Sequence, residues 1–224
     1  MKRKIICLLT LGCLLLSLTA DAAPVSYYHN NMDKNISGIT TLPDSHYTGG
    51  FGRLNLYGNN VLRVEGGMNT AGNARYAGAM VGDADWKNYT VEFKARTDRL
   101  WTDTFFVMLG YKGSKDYYSL TWSQGSTPGY YTILDSSSFM LCENSIKGGS
   151  VTYDVPKNLN VYGWNSYRIT TDNGLIEVYI NDFETPVMSY EISEEVMGSV
   201  AFGVYGTSYL PIRTDFDDIK IYRK

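Results

Sequence analysis

The sequence predicts an all-β protein built from two packed antiparallel sheets. Signals for helix are scarce, whereas glycine (22 residues) and tyrosine (19 residues) are frequent, and short β-branched or aromatic runs recur between turn residues. Runs of this kind at short, regular spacing are typical of β-sandwiches and barrels. A single open sheet with so many strands would leave long edges and one uncovered face, so two packed sheets are favoured.

The first 22 residues predict a secretory signal peptide. Lys2–Lys4 form a positively charged start, Ile5–Leu18 form an apolar run, and Ala20–Ala22 form a small-residue cleavage site. The apolar run is too short for a comfortable membrane span. Cys13 would be the lipidated residue of a lipoprotein, but it lies midway in that run, with Thr10 where a leucine is expected. We therefore expect export to the periplasm, the cell surface or the exterior without a lipid anchor.

Residues 23–224 are expected to form one domain, in which residues 23–50 are a poorly defined lead-in. No linker divides them, no stretch is apolar and long enough to span a bilayer, and the length suffices for a core. Cys142 is the one cysteine left after signal removal, so no intramolecular disulfide can form. The 23 acidic residues outnumber the 20 basic ones, which argues against nucleic acid or an anionic membrane as partner.

Thirteen segments are predicted as strands from their alternating or continuous apolar patterns. They are Arg53–Tyr57, Val61–Glu65, Arg75–Val81, Tyr89–Arg96, Thr104–Tyr111, Tyr117–Ser123, Tyr130–Asp135, Phe139–Asn144, Ser166–Thr171, Leu175–Asn181, Val187–Ile192, Ser199–Tyr205 and Thr214–Tyr222. Ile36–Thr41 is a weaker strand candidate. Ser193–Met197 is the only segment with helical character, a single turn that Ser193 would cap.

The hairpin from Trp164 to Asp182 is the strongest local prediction. Its two alternating arms are separated by Asp172-Asn173-Gly174, and an Asn-Gly step favours a tight turn because both turn positions take positive φ. The second arm places Ile176, Val178 and Ile180 on one apolar face. A lone hairpin has nothing on which to bury such a face, so the pattern requires a second layer.

Six sets of residues occur in the order that one family of domains shows. They are Asn60–Val64; Ala79–Asp83 with Trp86–Ala95; Gly110-Tyr111 with Asp116–Leu120; Trp164–Ile169 with Val178–Asp182; Gly198–Gly206; and the closing Phe216–Ile221. Together they resemble the laminin-G-like, concanavalin-A-like lectin/glucanase jelly roll of secreted bacterial proteins, over about residues 50–224. The resemblance implies two antiparallel sheets, one of them concave. Lectins, binding modules, glycosidases and lyases share this fold, so the fold does not decide the function.

Patterns for catalysis are not recognised. His29 and His46 precede the recognisable strands, so a serine or cysteine nucleophile would need the amino-terminal segment to fold over the cleft. The paired carboxylates of the glucanases, an E-x-D-x-x-E pattern on one strand, are absent. Leu100–Asp103 stands where keto-disaccharide hydrolases carry Asn-Ser-Gly, and nothing near Gln124 reproduces the alginate-lyase patterns Q-I-H or R-x-E-x-R. An acid and a base assembled from distant strands stay an open alternative.

Sugar recognition requires aromatic platforms for C–H faces, together with amide, carboxylate or guanidinium groups for hydroxyls. Such groups cluster between residues 101 and 131. The predicted ligand-binding residues are Arg75, Trp101, Asp103, Tyr111, Tyr118, Trp122, Gln124 and Tyr131. Tyr117 and Tyr118 point to opposite faces of their strand, so only one of them can face a ligand. Many strand aromatics pack in the core instead, as we expect of Trp86 and Trp164.

Asp217 and Asp218 are predicted to hold a structural calcium ion. The resemblance implies this site, because the closing aspartates of similar domains often lie beside such an ion, and carbonyl oxygens from the start of the chain would complete its shell. Alternation with Ile219 and Ile221 places Asp217 on the apolar face, where an unpaired carboxylate would be costly. An ion-paired or hydrogen-bonded aspartate is the alternative.

The sequence therefore predicts an exported, non-catalytic, lectin-like domain that binds a polysaccharide or oligosaccharide on its concave sheet. A glycan-cleaving hydrolase or lyase of the same fold is one alternative, and a surface adhesion domain that binds protein is another. Calcium is the only cofactor expected.

Overall fold

The structure is a computed structural model. It describes residues 23–43, 50–66, 75–97, 104–113, 116–123, 138–143, 150–154, 158–160, 163–172, 174–206 and 212–223. Within these ranges no helix has the length and apolar character needed to span a membrane.

The described strands form two antiparallel sheets, as predicted. They are β1 (Val25–Asn30), β2 (Ile39–Thr41), β3 (Gly50–Leu56), β4 (Asn59–Gly66), β5 (Arg75–Val81), β6 (Thr90–Thr97), β7 (Thr104–Gly113), β8 (Asp116–Ser123), β9 (Ser138–Glu143), β10 (Ser150–Asp154), β11 (Asn165–Asp172), β12 (Leu175–Ile180), β13 (Met188–Glu191), β14 (Ser199–Gly206) and β15 (Ile212–Arg223). Sheet A has the order β13-β12-β11-β6-β15-β4-β3, and β1 also pairs with β15. Sheet B has the order β10-β9-β8-β7-β14-β5-β2.

Alternating side chains from both sheets face a shared core between the two layers. Phe93 and Phe216 from sheet A meet Phe105 and Phe202 from sheet B, and all four are buried. The Phe93 and Phe202 rings lie 5.5 Å apart and the Phe202 and Phe216 rings 5.4 Å apart, both in tilted or edge-on geometry. Each buried ring contributes about 1.5–3 kcal/mol through the area removed from water. The aromatic contacts therefore join the two sheets at the centre of the sandwich.

The predicted hairpin is confirmed as β11 and β12. Asp172 lies opposite Leu175, and Gly174 takes a φ of 80°, as the tight turn requires. Ile176, Val178 and Ile180 are fully buried in the core. The layer that the hairpin needed is supplied by sheet B.

In the predicted lead-in, the structure describes residues 23–43, which contain β1 and β2. β1 runs antiparallel along the last half of β15, with Val25 opposite Arg223. Residues 36–41 form a strand only from Ile39, and Ser150–Asp154 is a strand that the sequence did not predict. The predicted strand Tyr130–Asp135 lies outside the described residues.

The helical turn predicted at Ser193–Met197 is wrong. The segment contains bends and ends in a bridge between Met197 and Lys87. Val196 is buried in the core, and its carbonyl accepts a hydrogen bond from the Asn88 backbone N–H at 3.1 Å. Contacts with the loop between β5 and β6 therefore replace the hydrogen bonds of a helical turn.

Candidate functional site

The outer face of sheet B, which points away from sheet A, carries a second and smaller apolar cluster. Its members are Leu42, Phe106, Met108, Tyr111 and Ala201, each exposing 7% of its surface or less; Met80 and Tyr117 pack against them. Phe105, Val107 and Leu109 face the core, so Phe106 and Met108 face outward by strand alternation.

A glycine lets this cluster lie flat on the sheet. Gly203 is paired directly with Phe106 in the neighbouring strand. A Cβ at position 203 would clash with the Phe106 ring and with the Ala77 carbonyl oxygen. The absence of a side chain at this position therefore allows the Phe106 ring to cover the backbone.

A β-bulge places Tyr111 on this outer face. Strict alternation from Leu109, which faces the core, would also turn Tyr111 inward. Gly110 takes a φ of 62°, and the pairing of β7 shifts register between Leu109 and Gly113. The extra residue moves Tyr111 into the outer cluster.

The bulge is held by a buried phenol. The Gly110 backbone N–H donates to the hydroxyl of Tyr89 at 2.7 Å, and Tyr89 is 1% exposed. Burial raises the pKa of Tyr89 well above its usual range, with an opposing contribution from the hydrogen bond to Gly110. The phenol therefore stays neutral at ordinary pH and provides a fixed acceptor for the bulge.

Only one of the adjacent residues Tyr117 and Tyr118 can face outward, and the prediction named Tyr118. The structure corrects this choice. Tyr118 belongs to the core between the sheets, whereas Tyr117 packs against the outer cluster. The rings of Tyr117 and Tyr111 lie 5.8 Å apart at an interplanar angle of 36°. Both neighbours are aromatic, so composition could not separate them; the alternation with buried Leu120 was the available signal.

The other predicted ligand-binding residues are described in part or not at all. Arg75 begins β5 opposite Gly206, and Trp122 lies in β8 opposite Phe105 and Phe139; the structure does not describe the side chains of Arg75 and Trp122. The predicted residues Trp101, Asp103, Gln124 and Tyr131 lie outside the described residues. The predicted residues that have a described backbone all belong to strands of sheet B: Arg75, Tyr111, Tyr118 and Trp122.

The outward positions of β8 carry hydroxyl groups. They are Tyr117, Ser119 and Thr121, and the last two lie opposite Met108 and Phe106. No carboxylate occupies these three positions. Sequence reasoning did not single out Ser119 and Thr121, because isolated serine and threonine residues in a strand carry no signal for a site.

The outer face of sheet A has a different character, because its charges form ion pairs. Asp215 is 1% exposed and accepts from Arg63 at 2.7 Å and from Arg96 at 3.3 Å. Glu92 accepts from Arg168 at 2.7 Å and from the hydroxyl of Tyr222 at 2.9 Å. These carboxylates are engaged in stabilising the sheet. His29 also belongs to sheet A, opposite Lys220 in β15, and His46 lies outside the described residues.

The predicted placement of Asp217 on the apolar face is wrong. Phe216 and Ile219 both face the core, and the register shifts after Asp217, so this strand also contains a bulge. Asp218 takes a φ of 49° there. The extra residue restores the inward direction at Ile219 and leaves Asp217 opposite Lys94 on the outer face.

The two aspartates are bonded to nitrogen donors of the protein. Asp217 accepts from Asn59 at 2.9 Å and from the backbone N–H of Asp218 at 2.7 Å, and Asp218 accepts from Lys94 at 2.6 Å. The hydrogen bond to Asp218 raises the pKa of the Lys94 ammonium. The described residues contain no group of three or more histidine, cysteine or acidic side chains placed to hold a metal. These donors do not fit a calcium site as they stand; calcium would have to displace Lys94, and it stays a prediction.

Comparison with solved structures identifies the fold as the concanavalin-A-like jelly roll. The GH16 protein of the Bacteroides ovatus mixed-linkage glucan PUL, in complex with a product, is similar over 87% of this chain and 99% of its own, with a TM-score of 0.62 and 12% identity. A β-1,3-glucanase from Mycobacterium marinum is similar over 89% of this chain and 100% of its own, with a TM-score of 0.55 and 15% identity. The carbohydrate-binding module CBM66 from Bacillus subtilis is similar over 84% of this chain and 96% of its own, with a TM-score of 0.54 and 14% identity. No family model matches the chain, and no curated relative matches it by sequence.

Proposed function

We propose that the protein is an exported, non-catalytic glycan-binding module whose binding site lies on the outer face of sheet B beside Tyr111 and Tyr117. The observation that carries the proposal is the chemistry of this face. Tyr117, which stays partly exposed, packs against Tyr111 and the buried apolar cluster, and the outward positions of β8 are hydroxyl residues in place of acids. The exposed part of the Tyr117 ring can stack on a sugar ring, and the partly exposed hydroxyl residue Thr121 can bond to the hydroxyls of the sugar.

The tyrosine pair packs against the outer apolar cluster of sheet B, which favours binding. Tyr111 is carried by the bulge at Gly110 and packs with Phe106 and Met108. Side chains that are held by packing lose little conformational freedom when a ligand arrives. The apolar cluster therefore contributes to affinity by fixing the orientation of the tyrosine pair.

The arrangement does not favour a glycan-cleaving enzyme. Glycosidases flank the scissile bond with two carboxylates about 5–9 Å apart. The outward positions of β8 hold none, and Glu92 and Asp215 on sheet A are paired with arginines. Hydrolysis would need acids from other parts of the chain.

The class of ligand is proposed from the same surface and from the structural neighbours. The described outer-face positions of β7 and β8 carry no charged group, which suits a neutral glycan better than an acidic one. Two of the similar structures act on mixed-linkage or β-1,3-glucans. Soluble β-glucans are therefore the first ligands to test.

The experiment compares wild type with Tyr117→Ala in isothermal titration against mixed-linkage β-glucan. Loss of the ring should weaken binding about tenfold, as expected for the loss of about 1.4 kcal/mol of stacking and burial. Tyr57→Ala is the matched control, because Tyr57 is fully exposed on the β3–β4 turn of sheet A. Tyr117→Phe should retain most of the affinity.

Two results would overturn the proposal. Equal affinity of Tyr117→Ala and the Tyr57→Ala control would remove the tyrosine pair from the site. Release of reducing sugar from the glucan by the wild-type protein, monitored over hours, would show that the module is an enzyme.

A further inference from the structure

The edge strand of sheet A has glycines at two successive outward positions. Gly50 lies opposite Glu65 and Gly52 lies opposite Arg63 in the ladder between β3 and β4. Residues directly opposite each other share a face of the sheet. The side chains of Glu65 and Arg63 form ion pairs on the outer face, so both glycines belong to that face.

The fold does not require glycine at either position. Neither residue has a positive φ, and a Cβ at either position would meet no atom within 4 Å. At Gly203, in contrast, an added Cβ would clash with its neighbours. Glycine inside a strand weakens it, and where no bulge or packing explains it, it often marks the close approach of a ligand or another backbone. The packing of the described residues therefore does not explain glycine at positions 50 and 52.

The glycines form the floor of an open trough of about 390 Å³. Leu54 extends the floor along β3, and Arg63 and Glu65 from β4 form a polar wall; Phe51 and Arg53 complete the lining. This volume lies within the range of sites for small ligands, about 300–1,000 Å³. A flat, partly apolar ligand can thus approach the backbone of β3 closely.

The polar wall is held in place before any ligand arrives. Glu65 accepts two hydrogen bonds from Arg213, at 2.9 and 3.3 Å, while its side chain stays 40% exposed. Arg63 is held by two bonds to Asp215, at 2.7 and 2.9 Å. A carboxylate has about four acceptor positions, so Glu65 retains the capacity to accept from hydroxyl groups. Two-point ion pairs also fix the orientation of both side chains.

We propose that this trough is a second saccharide-binding site, on the sheet opposite to the tyrosine pair. The inference rests on the proposed function for its ligand class. The glycine floor admits the C–H face of a sugar ring, and Glu65 accepts hydrogen bonds from its hydroxyls. The charged wall suits the hydroxyls of a sugar better than it suits an apolar partner.

The test uses the isotope-labelled full chain titrated with a mixed-linkage β-glucan tetrasaccharide and followed by amide chemical shifts. The amides of Gly50 and Gly52 are expected to shift on saturation. Gly52→Thr should fill the trough without harm to the fold, because its Cβ meets no atom within 4 Å and threonine suits a strand. Its melting temperature should equal or exceed that of wild type, and its affinity at the trough should fall at least about tenfold.

The two sites are separated by their own variants. Gly52→Thr should abolish the shifts at Gly50 and leave those around Tyr117, and Tyr117→Ala should do the reverse. Shifts at the trough in the absence of shifts around Tyr117 would overturn the proposed function and leave the trough supported. Unshifted Gly50 and Gly52 amides, or a Gly52→Thr protein that binds as wild type does, would overturn the second site. Self-association that Gly52→Thr abolishes would also overturn it, in favour of a contact between two copies of the chain.

Discussion

The hydroxyl of Tyr89 is predicted to hold both the fold and the tyrosine platform through one hydrogen bond. Tyr89→Phe keeps the buried ring and removes the acceptor of the Gly110 N–H, which is buried. An unsatisfied buried donor costs about 1–3 kcal/mol. A loss of about 2 kcal/mol in a chain of this size lowers the melting temperature by roughly 4–8 °C.

The assay is thermal unfolding followed by circular dichroism, with glucan affinity measured on the same samples. Tyr179→Phe is the matched control, because the Tyr179 hydroxyl donates to Glu177 at 3.0 Å on a half-buried surface and its loss should change stability by less than about 0.5 kcal/mol. Tyr89→Phe should also weaken glucan binding, since the bulge carries Tyr111. A Tyr89→Phe protein that melts within 1 °C of the control, where the magnitude above predicts roughly 4 °C or more, would refute the reasoning.

Three further predictions concern charge. Asp215→Ala leaves its two arginine partners without a counter-charge and should cost about 3 kcal/mol in urea unfolding; Asp215→Asn, which keeps an acceptor oxygen, should cost less, and equal losses would contradict the ion-pair account. Burial raises the pKa of Tyr89 and of Tyr167 well above the ordinary value of about 10. The unfolded chain then releases two protons that the folded chain retains, so stability is full below about pH 10 and falls above it by about 1.4 kcal/mol per pH unit for each phenol; a melting temperature that is constant from about pH 9 to 11 would contradict this. If calcium binds at Asp217 and Asp218, excess calcium should raise the melting temperature and EDTA should lower it. An unchanged melting temperature under both conditions would contradict calcium binding.

The sandwich could be predicted because its signals are local and repeated. The alternation of Ile176, Val178 and Ile180 reports a buried face, and the Asn-Gly step reports a turn; both features persist whatever surrounds them. Residues 23–50 gave weaker signals, because β1 is partly exposed and depends on β15 for its hydrogen bonds. The sequence of one segment alone does not indicate which distant segment it pairs with.

The site was harder to predict because two bulges change which side chains face outward. Gly110 brings Tyr111 to the outer face, and Asp218 removes Asp217 from the apolar face. Each bulge depends on tertiary contacts, such as the hydroxyl of Tyr89, that no local pattern reports. Gly50 and Gly52 in β3 could not be singled out from the sequence either, because the empty space above them is known only from the structure.

The pairing of β1 with β15 determines how the protein would respond to mechanical load. Val25 lies opposite Arg223, so tension applied between these two residues separates adjoining strand ends. The hydrogen bonds of an antiparallel ladder run across the strands, and under this geometry they bear the load one after another instead of together. β1 would peel away at low force while the faces of both sheets stayed folded. Under tension applied at these two residues, the protein would lengthen by one strand before the two sheets separated.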